Sequence, residues 1–266
     1  MRRAGGLGVA VVVGLALAAP ARGAPTITLS GSVVVKPLVA DLAYFYRHDV
    51  RDPAQFSIAG GVTASGISDA QRGVVDAGMV ARDLTAADPP GLVLTRLALS
   101  GLCLVTNRAN PVPTIGRAQI QDIVAGRVTH WSQIPGSRRS DPILAVGLAP
   151  TTGSAQVFLS DFVDLDTPLG YRPITLPTDP DVRDYVAKTP GAFGYVDVAL
   201  TGPLHVMAYE GIGCTRATIR AGTYPARRPL GVVTRGRPRG ALARFLRWVK
   251  TSREARRVIA TRYVPT

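Results

Sequence analysis

The stretch TITLSGSVVVKPLVADLAYFY, residues 26–46, decides the fold class. Residues 26–30 alternate and predict a strand, and residues 33–46 have the apolar spacing of a helix. The chain then continues with a predicted strand, helix and strand over residues 56–59, 68–73 and 75–80. This β-helix-β-helix-β order predicts an α/β fold, with a parallel sheet and helices on its faces.

Three short loops rich in Gly, Ser and Thr run straight into helical patterns. They are LSGS (29–32), GGVTASG (60–66) and TTGS (151–154). A helix start offers unpaired N–H groups and the positive end of its dipole, and small hydroxyl residues add donors and let an anion come close. One such loop is an ordinary helix cap, whereas three of them suggest one oxyanion held between helix ends.

The second half of the chain carries further β/α units beyond a segment rich in Leu and Val, residues 92–107. A predicted strand over residues 143–146 leads into the third loop, and residues 241–262 close the chain as a basic amphipathic helix. Because β/α units with Ser/Thr/Gly loops lie on either side of residues 92–107, we expect two α/β lobes with a cleft between them. In open α/β sheets, ligands bind at the carboxyl ends of the strands.

The first 23 residues have the features of a signal peptide. Arg2 and Arg3 precede an apolar run over residues 6–19, and small residues then suit a cleavage site. No Cys lies there for a lipoprotein anchor, and no later apolar run reaches the length of a bilayer span. We therefore expect an exported, soluble protein, periplasmic or secreted, that does not span a membrane.

The net charge of +13 lies entirely near the C-terminus. Residues 1–214 hold 17 Lys and Arg against 17 Asp and Glu, whereas residues 215–266 hold 14 against the single Glu254. Such a block can attract nucleic acid, an anionic membrane or an acidic partner, or can be a solvated face. Aromatic residues are not interleaved with the arginines as a single-strand binder requires, and we expect no nucleic-acid partner.

Residues with catalytic or metal-binding chemistry do not assemble into a signature. The three histidines are scattered without ligand spacing, so no metal site is expected. No Gly-x-Ser-x-Gly elbow or triad order is present, which argues against an enzyme. Asp179 and Asp181 lie in a turn-like segment and are interpreted as solvated helix caps. Cys103 and Cys214 can pair in an exported protein or remain buried thiols.

Six ordered segments carry a resemblance to a known family. They are GSVVVKPL (31–38), GGVTASGI (60–67), VDAGMVAR (75–82), QDIVAGRVTHW (121–131), GAFGYV (191–196) and TYPARRPL (223–230). The chain resembles the periplasmic phosphate-binding proteins of ABC importers, which carry similar segments such as VDIGMSSR, RDIFTGKITNW, GAIGYV and YPLSRPL. The resemblance implies the bilobal type-2 periplasmic-binding-protein fold, with two hinge segments between the lobes.

The resemblance also implies a site for phosphate or a similar oxyanion on the three loops. The residues that match the family's ligand contacts are Ser32, Val33, Thr63, Ser65, Gly66, Arg82, Thr152, Gly153 and Ser154. Val33 replaces a threonine and keeps only its backbone N–H, and Leu148 stands where an arginine is common.

Arg82 is expected to supply a charged donor from the other lobe. It stands where some members have an acid that accepts the proton of hydrogen phosphate. Without that acid, sulfate is not rejected, so the anion stays open.

The family's organisation predicts a signal peptide over residues 1–23, one lobe from residues 24–101 and 213–266, and a second lobe from residues 102–212. Cys103 and Cys214 would lie near the hinge segments, where a bridge would limit lobe motion. An ABC permease is the expected partner, the expected state is a monomer, and no cofactor is implied. The alternative is a non-transport binding or sensing protein with a degenerate site, which docks through its basic C-terminal face.

Overall fold

The computed structural model describes residues 24–164, 170 and 173–266, so the predicted signal peptide lies outside the described residues. Over these residues the chain forms twelve strands and eight α-helices, besides three short helical turns of other types. The strands are β1 (Thr26–Gly31), β2 (Gln55–Ile58), β3 (Ala77–Val80), β4 (Leu92–Thr106), β5 (Thr114–Ile115), β6 (Leu144–Leu148), β7 (Ile174–Leu176), β8 (Ala192–Asp197), β9 (His205–Val206), β10 (Ala208–Tyr209), β11 (Arg227–Arg235) and β12 (Val264–Pro265). The helices are α1 (Lys36–Asp49), α2 (Thr63–Arg72), α3 (Arg117–Val124), α4 (Gly153–Phe158), α5 (Asp179–Lys188), α6 (Arg216–Ala221), α7 (Gly240–Thr251) and α8 (Arg253–Ala260).

One ten-stranded sheet runs through the molecule in the order β2-β1-β3-β11-β4-β8-β6-β7, with β9 and β12 paired to β4. β1 is parallel to β2 and β3, and β6 is parallel to β7 and β8. Between these parallel ends, β11 is antiparallel to both β3 and β4, and β4 is antiparallel to β8. The α/β prediction is confirmed, and the antiparallel centre is a feature that the alternating pattern did not predict.

Two large apolar cores divide the molecule into two lobes, as expected, and a third, small cluster contains Ile67, Ala70, Val80 and Val233. The first core draws its residues from 27–98 and 230–263, and the second from 102–226 together with Val264. We call these parts the first and second lobes. The long strand β4 passes from one to the other between Ala98 and Leu102. Cys214, Ile219 and Tyr224 belong to the second core, so their packing favours a return crossing near β11 rather than the expected boundary at residue 213.

Cys103 and Cys214 form a disulfide, with their Cα atoms 5.5 Å apart. Cys103 lies on β4 and Cys214 just before α6, and both are buried in the second core. The bridge therefore closes a loop of 111 residues within one lobe. It does not tie the lobes together, so the limit on lobe motion expected from the hinge positions does not follow from this geometry.

Two helices begin or end at places that the apolar spacing did not predict. α2 begins at Thr63, five residues before the predicted start, so part of the second Gly/Ser loop is helical. The C-terminal helix is divided into α7 and α8 at Ser252, whose hydroxyl accepts the Glu254 and Ala255 amides as a helix cap. No helix within the described ranges is both long and apolar enough to cross a membrane.

Candidate anion-binding site

Four turns from the two lobes meet around one cavity. Two come from the first lobe, at the β1–α1 turn and the start of α2, and two from the second, at the starts of α4 and α5. The lining residues are Ser32, Val33, Val34, Gly61, Val62, Thr63, Thr152, Gly153, Ser154, Pro177, Thr178 and Asp179. Six of the nine residues predicted for the site lie here: Ser32, Val33, Thr63, Thr152, Gly153 and Ser154.

Short-range hydrogen bonds shape each turn. The Ser32 amide donates to the Met79 carbonyl at 3.0 Å, which fixes the end of β1 beside β3. Thr152 caps α4 by accepting the Ala155 amide at 3.1 Å, and Thr178 caps α5 in the same way from Asp181. The Thr152 cap takes up only the Ala155 amide, so the Gly153 and Ser154 amides that precede it are left to face the cavity.

Neutral donors line this cavity. Among its backbone amides, those of Val34, Thr63, Gly153 and Ser154 donate to no acceptor in the described part of the chain. The Ser32 hydroxyl has no partner there either. The Thr63 hydroxyl accepts the Ala81 amide at 3.3 Å and keeps its own proton free to donate. N–H and O–H donors gathered at helix starts suit an oxyanion.

The two lobes touch at Gly153. A methyl group on this residue would lie 2.6 Å from the Thr63 hydroxyl oxygen and 3.4 Å from the Ala81 carbonyl oxygen, both in the first lobe. Since real Cβ atoms do not come that close, only glycine permits this approach. The start of α4 is therefore closed against the start of α2, with the cavity between them.

A buried arginine lies one hydrogen bond behind the cavity. The Arg228 side chain is 1% exposed and donates to Ser154 Oγ and to Asp197 Oδ2, both at 2.8 Å. The Ser154 hydroxyl in turn donates to Asp179 Oδ1 at 2.8 Å. The Arg228 Nε has no acceptor among the described residues. The charge of Arg228 is therefore balanced by buried carboxylates, and this arginine is linked to the cavity wall through its hydrogen bond to Ser154.

Asp179 brings a buried carboxyl group to the cavity wall. It is 2% exposed, and burial raises its pKa to about 6, against the opposing effects of Arg228 and the Ser154 hydrogen bond. The interpretation of Asp179 as a solvated cap was therefore wrong. Asp181 is exposed and interacts with its cap residue Thr178. The difference arises because Asp179, at the first position of α5, points towards Arg228.

Arg82 lies outside the cavity, contrary to the expectation that it faces the anion. Its guanidinium donates to both carboxylate oxygens of Asp88 at 2.7 Å and also to the Gln156 side chain of α4. Gln156 belongs to the second lobe, so Arg82 does connect the lobes. Its donors are directed at the protein, because Asp88 offers a bidentate partner six residues along the chain.

Three further residues that were predicted to contact the anion instead make contacts within the protein. The Val33 amide donates to the Gly61 carbonyl at 3.0 Å, and the adjacent Val34 amide is the free one. Ser65 Oγ donates to the Val62 carbonyl and accepts the Val62 amide, so it caps α2. A Cβ at Gly66 would lie 2.7 Å from the Met79 carbonyl, so this glycine lets α2 pack on the sheet.

The sequence reasoning missed Val34, Thr178, Asp179 and Arg228. Arg228 lies inside the TYPARRPL segment, so the motif was available without a role for its arginine. Nothing in the sequence distinguishes Arg228 from the exposed Arg227 beside it. Within the ranges that the structure describes, no three His, Cys, Asp or Glu side chains are grouped as a metal site would need.

Comparison with known proteins agrees with this architecture. Residues 16–253 match the family model of the PBP superfamily domain. The chain belongs to the PBP superfamily. It is similar to the phosphate-binding protein PstS of Bacillus subtilis, with 24% identity over 246 residues, 90% of this chain and 80% of that protein. Phosphate-binding protein PstS 2 of Streptococcus pneumoniae is 28% identical over 108 residues, 41% of this chain and 37% of that protein.

Solved structures share the fold of this superfamily member. An ABC transporter substrate-binding protein from Clostridium perfringens, solved with bound phosphate, superposes with a TM-score of 0.80 at 22% identity, over 91% of this chain and 99% of that one. An ABC-type phosphate transport receptor from Vibrio cholerae gives 0.74 at 24% identity, over 90% and 100%. At these identities the likeness supports the bilobal fold.

Proposed function

We propose that this PBP superfamily protein is an extracytoplasmic solute-binding protein that holds inorganic phosphate between its lobes for ABC-type uptake. The observation that most supports this proposal is the cavity between the lobes. Its wall combines Ser32 and Thr63 of one lobe with Thr152, Gly153 and Ser154 of the other. Its relatives bear the names of phosphate-binding proteins. The family is one of solute-binding proteins rather than enzymes, which agrees with the lack of a catalytic motif.

The proposed binding mode relies on dipoles rather than on a charged side chain in contact with the ligand. The free amides of Val34, Thr63, Gly153 and Ser154 would donate to phosphate oxygens, joined by the Ser32 and Thr152 hydroxyls. Such neutral donors, held rigid by the helices, stabilise an anion without the desolvation cost of an extra buried cation. Arg228 would act through Ser154.

Asp179 supports phosphate over sulfate as the ligand. An ionised carboxylate beside a fully ionised anion is repulsive, because neither group carries a proton to place between them. Hydrogen phosphate carries such a proton and can donate it to a carboxylate oxygen, whereas sulfate at neutral pH cannot. Asp179 thus offers the acceptor that residues 81 and 82 do not provide, which revises the expectation that sulfate is not rejected.

The proposal also covers lobe closure, export, the oligomeric state and the places where the chain crosses between the lobes. Hinge closure on the ligand would be the signal read by a membrane permease, because receptors of this architecture close around what they bind. We propose that the protein is exported and acts as a monomer. We also propose that the lobes exchange at β4 and again near the start of β11.

Isothermal titration calorimetry on residues 24–266 tests the ligand, with phosphate and sulfate compared at pH 7.5. We expect saturable heat with phosphate and a much weaker response with sulfate. Ser32→Ala should lower phosphate affinity about tenfold, because it removes a hydroxyl donor to a charged group. Ser132→Ala is the matched control, since its exposed side chain makes no hydrogen bond within the described residues. Absence of heat and of any thermal shift would refute the proposal.

A further inference from the structure

The outer surface of the first lobe carries an unusual concentration of cations. α7 and α8 bury Leu242, Phe245, Val249 and Ile259 in the first core, and their opposite sides are exposed. Seven exposed cations lie on those sides and on the turn before α7: Arg237, Arg239, Arg244, Arg247, Lys250, Arg253 and Arg256. We call these residues the C-terminal basic face. None of them lines the anion cavity.

The cations of this face have no counter-ion among the residues that the structure describes. No side chain of the seven makes a hydrogen bond or ion pair within residues 24–164, 170 and 173–266, and the nearby acid Glu254 is paired with Arg257. Some exposed arginines elsewhere in the chain pair with aspartates, as in Arg96–Asp83 and Arg127–Asp122, and others, such as Arg138 and Arg220, have no such pair within the described residues. What distinguishes the C-terminal basic face is that seven unpaired cations are grouped on α7, α8 and the preceding turn, where the one acid, Glu254, is already paired.

Two of these cations are also placed against the helix dipoles. Arg239 is the N-cap of α7 and Arg253 is the first residue of α8, the positive ends of the two helices. A cation there is unfavourable, and neighbouring like charges on a helix add to the cost. These positions do not stabilise the isolated fold, so they suit an interaction with an external polyanion.

The chemistry of the face favours a diffuse anionic surface over a shaped partner. Stable protein interfaces need aromatic or apolar anchors at their centre, and single-stranded nucleic acid needs aromatic side chains for stacking. The exposed large apolar side chains in the described part of the chain are Tyr44, Val74 and Val93, none of which lies on α7 or α8. Trp248 of α7 is buried instead.

We propose that the C-terminal basic face binds the anionic lipid surface of a membrane. Cations close to such a surface each add favourable free energy, without any shaped pocket. Because none of these residues lines the cavity, docking in this way would leave the residues of the candidate anion site unused and would concentrate the protein near membrane partners. The proposal does not depend on which anion the cavity takes.

Vesicle co-sedimentation tests this with residues 24–266, which contain both cores and omit the apolar run that could itself insert into lipid. We expect binding to vesicles of phosphatidylcholine mixed with phosphatidylglycerol, no binding to phosphatidylcholine alone, and loss of binding as salt is raised. The charge-reversed variant R244E/R247E/R256E should partition about a hundredfold more weakly, since three cations leave the surface. An Arg→Gln variant at the same positions covers the case in which the reversed protein fails to fold.

The matched control is R51E/R138E/R220E, which changes net charge equally at exposed positions outside the face. It should retain binding to within a few fold. Equal losses in the two variants would mean that net charge alone drives adsorption and would overturn the proposal. So would a lack of binding to anionic vesicles, or tighter binding to a DNA duplex than to those vesicles at physiological salt.

Discussion

Two arginines at the lobe boundary make similar contacts but differ in how deeply their side chains are buried. Arg228 donates to Ser154 and Arg82 to Gln156, both on α4, and each is held by an aspartate less than 3 Å away. The Arg228 side chain is 1% exposed, whereas the Arg82 side chain is 12% exposed beside an open crevice. Both cations are used to position α4, and neutral donors are left to face the cavity.

The difference in depth sets what each arginine contributes. A buried ion pair is costly to break, because removing one partner leaves the other charge without water or a counter-ion. A pair near solvent is compensated by water when it is broken. We therefore expect Arg228 to matter mainly for folding and Arg82 mainly for the contact between the lobes, and changes at the arginines and at their neighbours in the cleft test this picture.

Replacing Arg228 should have the largest effect. Arg228→Met removes the partner of Asp197 and leaves two carboxyl groups buried, so the free energy of unfolding should fall by roughly 3–5 kcal/mol. Urea unfolding followed by circular dichroism measures the loss. The matched control is Arg82→Met, which should cost about 1 kcal/mol. If the two variants were equally unstable, the distinction between a deep and a peripheral arginine would fail.

A substitution at Gly153 tests ligand binding rather than the stability of the fold. Gly153→Val places a side chain against Thr63 across the cleft, so phosphate affinity should fall about a hundredfold through steric overlap in the closed form. Calorimetry measures the affinity, and Gly202→Val is the control because no heavy atom of the described chain lies within 4 Å of a Cβ there. Unchanged affinity would mean that closure at this glycine is not part of binding.

The sequence predicted the loops of this site better than the roles of individual side chains. Ser32, Thr63 and the TTGS loop were found because small residues before a helix have a local signature. Ser65 was misjudged because the apolar spacing placed the start of α2 five residues too late. Once the helix begins at Thr63, Ser65 is in position to cap it.

Charged residues were harder to predict, because tertiary partners decide their roles. In sequence, Arg82 and Arg228 are both arginines within family-like segments, and Asp179 and Asp181 flank one proline. Only the folded sheet brings Arg228 of β11 next to β8 and α4. The two lobes followed from the repeated β/α order, whereas the antiparallel β11 in the centre carried no comparable signal.

Asp179 should give the protein a distinctive dependence on pH. Its pKa is about 6 in the folded state against 3.8 in the unfolded chain, so the folded protein binds the extra proton between these values. The contribution of Asp179 to stability is therefore fully present below pH 3.8 and is lost as pH rises through 6. The free energy of unfolding should thus fall by about 2 kcal/mol relative to Asp179→Asn over this range.

Chemical denaturation of the two proteins at several pH values between 4 and 7 measures this difference. Comparison with the isosteric Asn variant cancels the contributions that other carboxylates make to the pH dependence of stability. Asp69 and Asp88 are examples: their hydroxyl and arginine partners lower their pKa values, so their contributions change with pH in the opposite direction. If the difference in unfolding free energy between the two proteins did not vary with pH, burial would not be raising the pKa of Asp179.

Removing the other end of the Arg82 contact should have the smallest effect. Gln156→Ala deletes one hydrogen bond across the lobes while Asp88 still holds the guanidinium, so phosphate affinity should fall only about threefold to tenfold. Calorimetry checks this against Gln71→Ala, a glutamine whose Oε1 has no partner within the described residues. The loss should come from a less stable closed form and so should raise the dissociation rate of phosphate. A loss well beyond tenfold would instead place this contact within the binding site, and the two arginines would then differ in depth but not in function.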